Sequence, residues 1–265
     1  MKISELKKEA IAKLAGKWPL AILINLTQLI ISLVITYAAT KIEGILGIIL
    51  SVVGVIISIP LSYGLATSML KLSRNETVGV TDFITIGFQN FKKAFLLSLS
   101  IFIRIIIPSI LFTVALAFSI IMGLANALGA SASGDGIISF VAIIVAVASM
   151  IWLVYKILSY AFSTYILIDN EDMKSKEAIA RSCELMKGNK LKFVGLVFSF
   201  FGWLLLSGIL AGIVEAFNAT LGLVAMYGLS LILTPYITFA EINFYEDLAG
   251  ISEVKVGTVE DTIVE

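Results

Sequence analysis

The sequence predicts an all-α, polytopic membrane protein: six transmembrane helices arranged as three hairpins, each preceded by a cytoplasmic amphipathic helix. Three observations predict it. Hydrophobic residues make up 59% of the 265 and charged residues only 14%, with mean hydropathy +1.02. A soluble domain is about 45–50% apolar and about 25% charged, so lipid is the solvent expected for most of this chain. The apolar residues also fall in six runs, each long enough to cross a hydrocarbon core of about 30 Å at about 1.5 Å per residue. Last, the cations are unevenly distributed between those runs.

The N-terminal stretch carries Lys2, Lys7, Lys8, Lys13 and Lys17. After the second run come Lys71, Arg74, Lys92 and Lys93. After the fourth come Lys174, Lys176, Arg181, Lys187, Lys190 and Lys192, and Lys255 lies near the end. Against these sixteen, the alternate connections carry Lys41 alone. Cationic loops stay on the cytoplasmic side, so both termini are expected there, which requires an even number of crossings. The first run is too long for a signal-peptide core and is expected to remain as an anchor.

The elements follow in order. In the first helix Ile3, Leu6, Ala10 and Leu14 share one face and the lysines another. Spans at roughly 19–40 and 44–70 form the first hairpin, with Trp18 at the inner boundary, where indole rings prefer to sit. In the second amphipathic helix Val80, Ile84, Phe88 and Phe91 recur at helical spacing, and Thr81 or Asp82 caps the start. Spans at 94–125 and 137–168 are longer than a crossing needs, so they tilt, kink or project, and Pro108 offers a kink. In the third amphipathic helix Ser175 is the expected N-cap. Its stripe is Ile179, Cys183 and Met186, Glu177 precedes Arg181 by four residues, and Gly188 stops it. Spans at 192–214 and 221–246 complete the third hairpin. Basic amphipathic helices rest at the headgroup boundary or cap the bundle through protein contacts, and the pattern fits both.

The arrangement repeats. Residues 1–248 read as one integral membrane domain of three units, 1–74, 75–170 and 171–248, followed by a flexible acidic cytoplasmic tail, 249–265. The junctions are Gly16-Lys17-Trp18, Asn90-Phe91-Lys92-Lys93 and Gly188-Asn189-Lys190, and each returning helix carries a Tyr: Tyr63, Tyr160 or Tyr236.

The third unit has the most specific wording. Ala178-Ile179, Ser182, Met186-Lys187-Gly188-Asn189-Lys190, Phe193, Ser199-Phe200, Gly202-Trp203 and Leu205-Leu206 resemble the signature of a bacterial integral membrane family known as domain of unknown function 975. The opening Met1-Lys2-Ile3, Trp18, Gly64, Arg74, Glu76, Phe83, Pro235-Tyr236 and Phe244-Tyr245 are similar as well. The likeness covers about residues 1–248. Where the family often has Pro-Gly in the fourth span, this chain has Lys156-Ile157. The resemblance implies a bacterial plasma-membrane protein and supplies no activity.

Chemistry-bearing groups are sparse. There is no His and one Cys, Cys183, which removes the usual general base, any internal disulfide and any Cys-cluster metal site. No nucleophile elbow or Gly-rich phosphate loop is present, so neither catalysis nor a cofactor is expected. Nineteen basic residues balance nineteen acidic ones, and no nucleic-acid partner is implied. Arg104 and Lys156 lie inside apolar spans, where a charge costs about 2.5–3.5 kcal/mol on insertion scales. They are candidate contacts for an anion or a lipid headgroup, or members of an internal ion pair. Alternatively they mark the cytoplasmic edge with their stems snorkelling outward. Glu241 is a candidate intramembrane partner for Arg104, or it faces cytoplasmic water. Gly195, Ser199 and Gly202 are spaced for close helix packing. Asp169, Glu171 and Asp172 are oxygen ligands for a divalent cation or an acidic turn ending a helix. The expected function is a non-enzymatic module that binds or organises lipid or another membrane protein, with anionic headgroups, another membrane protein or a second copy as partners. The alternative is a small transporter or channel for an anionic or amphipathic solute, using Arg104 and Lys156.

Overall fold

A computed structural model describes residues 1–129 and 135–251. Part of the turn before Asp135 and nearly all of the expected acidic tail therefore lie outside the described residues. Every regular element within them is a helix: α1 (Ile3–Leu14), α2 (Trp18–Lys41), α3 (Gly44–Ser73), α4 (Asp82–Gln89), α5 (Phe91–Ala127), α6 (Asp135–Tyr160), α7 (Ser163–Asp169), α8 (Ser175–Leu185), α9 (Lys190–Phe198), α10 (Phe201–Phe217) and α11 (Ala219–Ala249). Six stretches are long and apolar enough to cross a membrane: Trp18–Lys41, Gly44–Ser73, Phe91–Ala125, Gly136–Asp169, Lys190–Phe217 and Ala219–Ala249.

Two of these stretches contain a step, and both steps have a polar cause. Between α6 and α7 the Phe162 N–H donates to Ser182 Oγ at 3.2 Å. Ser182 Oγ itself donates to the Ser159 carbonyl at 2.9 Å. Between α9 and α10 the Ser199 carbonyl accepts from Lys7 Nζ at 3.1 Å. A side chain from elsewhere satisfies a backbone group that the helix ladder gives up. Proline is not the cause, because α3, α5 and α11 run on through Pro60, Pro108 and Pro235.

The connection from α2 to α3 is Ile42-Glu43, and that from α10 to α11 is Asn218 alone. Connections this short make sequential helices pack side by side, and α2 packs on α3, α5 on α6 and α10 on α11. The short helices dock on other pairs. α1 lies on α11, α4 on α3 and α8 on α7. α1 buries Leu6, Ala10 and Leu14 of its expected face, whereas α8 buries Ala178, Ile179 and Ser182, so that of its expected stripe Ile179 and Met186 are buried and Cys183 is half-buried.

The face of α4 differs from expectation. Phe83 and Gly87 are its buried residues, while Phe88 and Phe91 are exposed. Gly64 of α3 and Gly87 of α4 explain this. A Cβ on Gly64 would strike the Phe83 carbonyl, and one on Gly87 would strike the Pro60 carbonyl. The two backbones thus meet along the glycine side of α4, not along its most apolar stripe. Three details at helix ends also depart from the sequence reading. Lys174, not Ser175, is the N-cap of α8, and Glu177 accepts its N–H at 3.3 Å. Arg181 pairs with Glu184 at 3.1 Å, not with Glu177. Ala249 still belongs to α11, and Gly250, at φ 69°, turns the chain so that the Ile251 N–H bonds the Glu246 carbonyl at 3.0 Å.

The core sits at one end of the long helices, the end that carries the lysines. Its largest buried side chains include Phe83, Phe162, Phe200, Phe239, Phe244 and Met186.

Candidate functional site

Two sites arise where the three helix pairs converge at the basic end. The first is a charged hub. Arg74 caps α3, and its guanidinium holds both oxygens of Asp169, at the end of α7, at 2.6 and 2.9 Å. Its Nε donates to Glu246 of α11 at 2.9 Å. Lys13 of α1 donates to the other Glu246 oxygen at 2.9 Å and to Asn243 Oδ1 at 2.7 Å. Tyr245 donates its hydroxyl to Asp169 at 2.7 Å, and Asn243 Nδ2 donates to the Leu6 carbonyl at 3.2 Å. One polar network therefore joins α1, α3, α7 and α11. The hydrogen bonds from Arg74 to Asp169 raise its guanidinium further above the ordinary range, more than burial lowers it. Nearby, Lys17 donates to the Leu72 carbonyl at 2.7 Å and to Asn75 Oδ1 at 2.6 Å. Burial draws the Lys17 ammonium below the usual lysine range, and the charge of Lys13 adds to that.

An aromatic layer lies against the hub. Phe162 packs at 5.2 Å from Phe193, 5.8 Å from Phe244 and 5.8 Å from Tyr245, measured between ring centres. Separations of this size are where ring pairs attract beyond simple burial.

The second site is a cavity of about 450 Å³ bounded by α3, α5, α7, α9 and α11. Hydroxyl-bearing side chains line it: Ser58, Ser62, Tyr63, Ser98, Thr164 and Tyr165. Phe162 and Phe193 add two further rings, and Glu241 is its one charged residue. Ser58 and Ser62 are exposed and mark its open side. Glu241 has no ion pair or hydrogen bond among the described residues.

The residues singled out by sequence separate in space. Glu241 lines this cavity, and Arg104 and Lys156 do not. Arg104 donates to the Ser100 carbonyl one turn back at 2.6 Å and pairs with no carboxylate among the described residues. The Lys156 ammonium lies 6.0 Å from the centre of the Tyr160 ring. Of the packing trio, Gly195 faces Ile3 of α1, Ser199 sits in the step after α9, and Gly202 is exposed with no neighbour where a Cβ would go. Asp169 is engaged by Arg74 and Tyr245, and among the described residues no group of three His, Cys, Asp or Glu is placed to hold a metal. Sequence reasoning missed the hub. Its local signal was the departure of Arg74, Asp169 and Glu246 from an otherwise apolar helix end.

The fold and these sites define an all-helical protein with six membrane-length helices joined at a polar, aromatic base. The chain belongs to the family described as protein of unknown function DUF975, which matches residues 1–252. Searches of curated proteins and of solved structures found no match.

Proposed function

We propose that this chain is a non-enzymatic, multi-pass plasma-membrane module, with both termini cytoplasmic, that gathers anionic lipid headgroups around its basic face. The observation that carries this reading is a set of lysines left over once the hub is built. Lys13, Lys17 and Arg74 are consumed by internal partners. Lys8, Lys92, Lys176 and Lys187 are exposed and have no acidic partner among the described residues. They come from all three units of the chain. Each such cation near an anionic surface contributes about 1 kcal/mol.

The three units are themselves part of the proposal: three hairpins, each entered through an amphipathic helix. Their junction residues support it, since Lys17, Asn90 and Asn189 share one backbone conformation, with φ −113°, −100° and −104° and ψ −5°, 19° and −4°. Asn90 and Asn189 each donate to the carbonyl four residues back, Ile86 and Leu185, at 3.0 Å. The docking pattern supports it as well. Each amphipathic helix lies on the returning helix of the unit before it, and α1 closes the series on α11.

The test uses the full chain in nanodiscs of mixed phosphatidylcholine and phosphatidylglycerol, with the co-purifying lipids quantified. Phosphatidylglycerol should be enriched around the wild type and lose that enrichment when Lys8, Lys92, Lys176 and Lys187 are all changed to Gln. Equal lipid composition in both proteins rejects the reading. Anion flux in liposomes that disappears with Arg104→Ala would replace it with transport.

A further inference from the structure

The cavity between the helix pairs has a chemistry opposite to that of the outer face. It contains one carboxylate, six hydroxyl-bearing side chains, four aromatic rings and no Lys or Arg. Its volume of about 450 Å³ falls within the range of small-molecule sites, about 300–1,000 Å³. An anion would meet the Glu241 carboxylate with no cation to offset it. A purely apolar occupant would leave that carboxylate without a partner, at a desolvation cost. A divalent metal ion wants six or more oxygens, normally with several carboxylates, and the lining supplies one.

The hydroxyls narrow the choice further. Ser62 already donates to the Ser58 carbonyl at 2.8 Å, and Ser58 to the Val55 carbonyl at 2.7 Å. A serine that spends its proton on its own helix has only lone pairs left to offer. The open side of the cavity therefore presents acceptors, and its one charge is negative. The rings of Tyr63, Phe162, Tyr165 and Phe193 stand around it, and aromatic faces attract cations.

We propose that this cavity binds an organic ammonium group, with Glu241 as its counter-ion, the serines of α3 as acceptors and the aromatic side chains as its walls. The ammonium can belong to a free amine or to the headgroup of an amine-bearing lipid entering past Ser58 and Ser62. This site is independent of the basic outer face, and either assignment can fail without the other.

The full chain, purified in detergent free of amine-bearing lipid, is titrated by calorimetry with ethanolamine and, separately, with phosphatidylethanolamine in mixed micelles. Saturable binding of at least one probe is expected. Binding of ethanolamine assigns the site to a soluble amine, and binding of the lipid alone assigns it to a headgroup. Glu241→Gln should weaken that binding about tenfold or more, because a charged acceptor is lost. Ser62→Val, on the exposed lip and away from the core, should weaken it about threefold and keeps the test decisive if the first variant misfolds. No saturable binding of either probe overturns the proposal. So does wild-type affinity in a folded Glu241→Gln protein or, where that variant misfolds, in Ser62→Val.

Discussion

The two halves of α3 live under different rules. From Pro60 to Ser73 most residues are buried, among them Leu61, Tyr63, Gly64, Thr67, Met69, Leu70 and Leu72. From Ile45 to Ile56 most are exposed, and Ile45 reaches 77%. The composition changes with the surroundings. The exposed half is Ile, Val, Leu, Gly and Ser, whereas the buried half has Pro, Tyr, Thr, Met and a charged end. Lipid tails are as apolar as leucine, so contact between helices gains little from hydrophobicity there. Specific packing and hydrogen bonds decide the arrangement instead, and they are concentrated at the basic end. The distal halves need only stay apolar and helical.

The largest effect that tests this contrast is expected at the hub. Arg74→Ala leaves Asp169 and Glu246 without their shared cation, and Glu246 is only 7% exposed. Breaking one partner of a buried pair costs about 3–5 kcal/mol, so thermal unfolding of the detergent-solubilised protein should shift strongly downward. An unchanged unfolding temperature would deny the base its role. Next comes Gly64→Ala, whose added methyl meets the α4 backbone. Overpacking of this kind costs about 1–3 kcal/mol, and Gly202→Ala, which meets nothing within the chain, should cost far less. A smaller loss, about 0.5–1.5 kcal/mol, is expected when Asn189→Ala removes the bond to Leu185. Asn90→Ala should cost the same if the two junctions are equivalent. At the bottom of the scale, Ile45→Leu in the exposed half should stay within about 0.5 kcal/mol of wild type.

A separate measurement sharpens the sidedness of the contrast. With both termini cytoplasmic, cysteines placed at Lys41 and Thr220 should react with an impermeant thiol reagent on intact cells. Cys183, half-buried on α8, should not. Reaction of Cys183 alone would invert the orientation.

Much of the architecture is legible in the sequence because helices are local. The six apolar stretches and the buried face of α1 follow from hydropathy and a 3.6-residue period. The face of α4 was misread because two glycines, not its bulky side chains, set how closely it approaches α3. The steps at Phe162 and Ser199 depend on Ser182 and Lys7, which lie far away along the chain. The hub was illegible for the same reason. Asp169 and Glu246 lie 95 and 172 positions from Arg74, and no local rule brings the three together. For the candidate cavity, the depth of Glu241 was readable as an anomaly. Its surroundings of rings and hydroxyls required five helices in place.

The seat of α1 has a consequence for biosynthesis. Lys13 and Glu246, which bind each other, are 233 positions apart. At a translation speed of about 5–20 residues per second, the first helix waits on the order of ten seconds or more for its partner to leave the ribosome. Until then the Leu6, Ala10 and Leu14 stripe needs temporary cover, which the bilayer surface beside the insertion channel can provide. The later-made α11 thus finishes the structure by capturing α1.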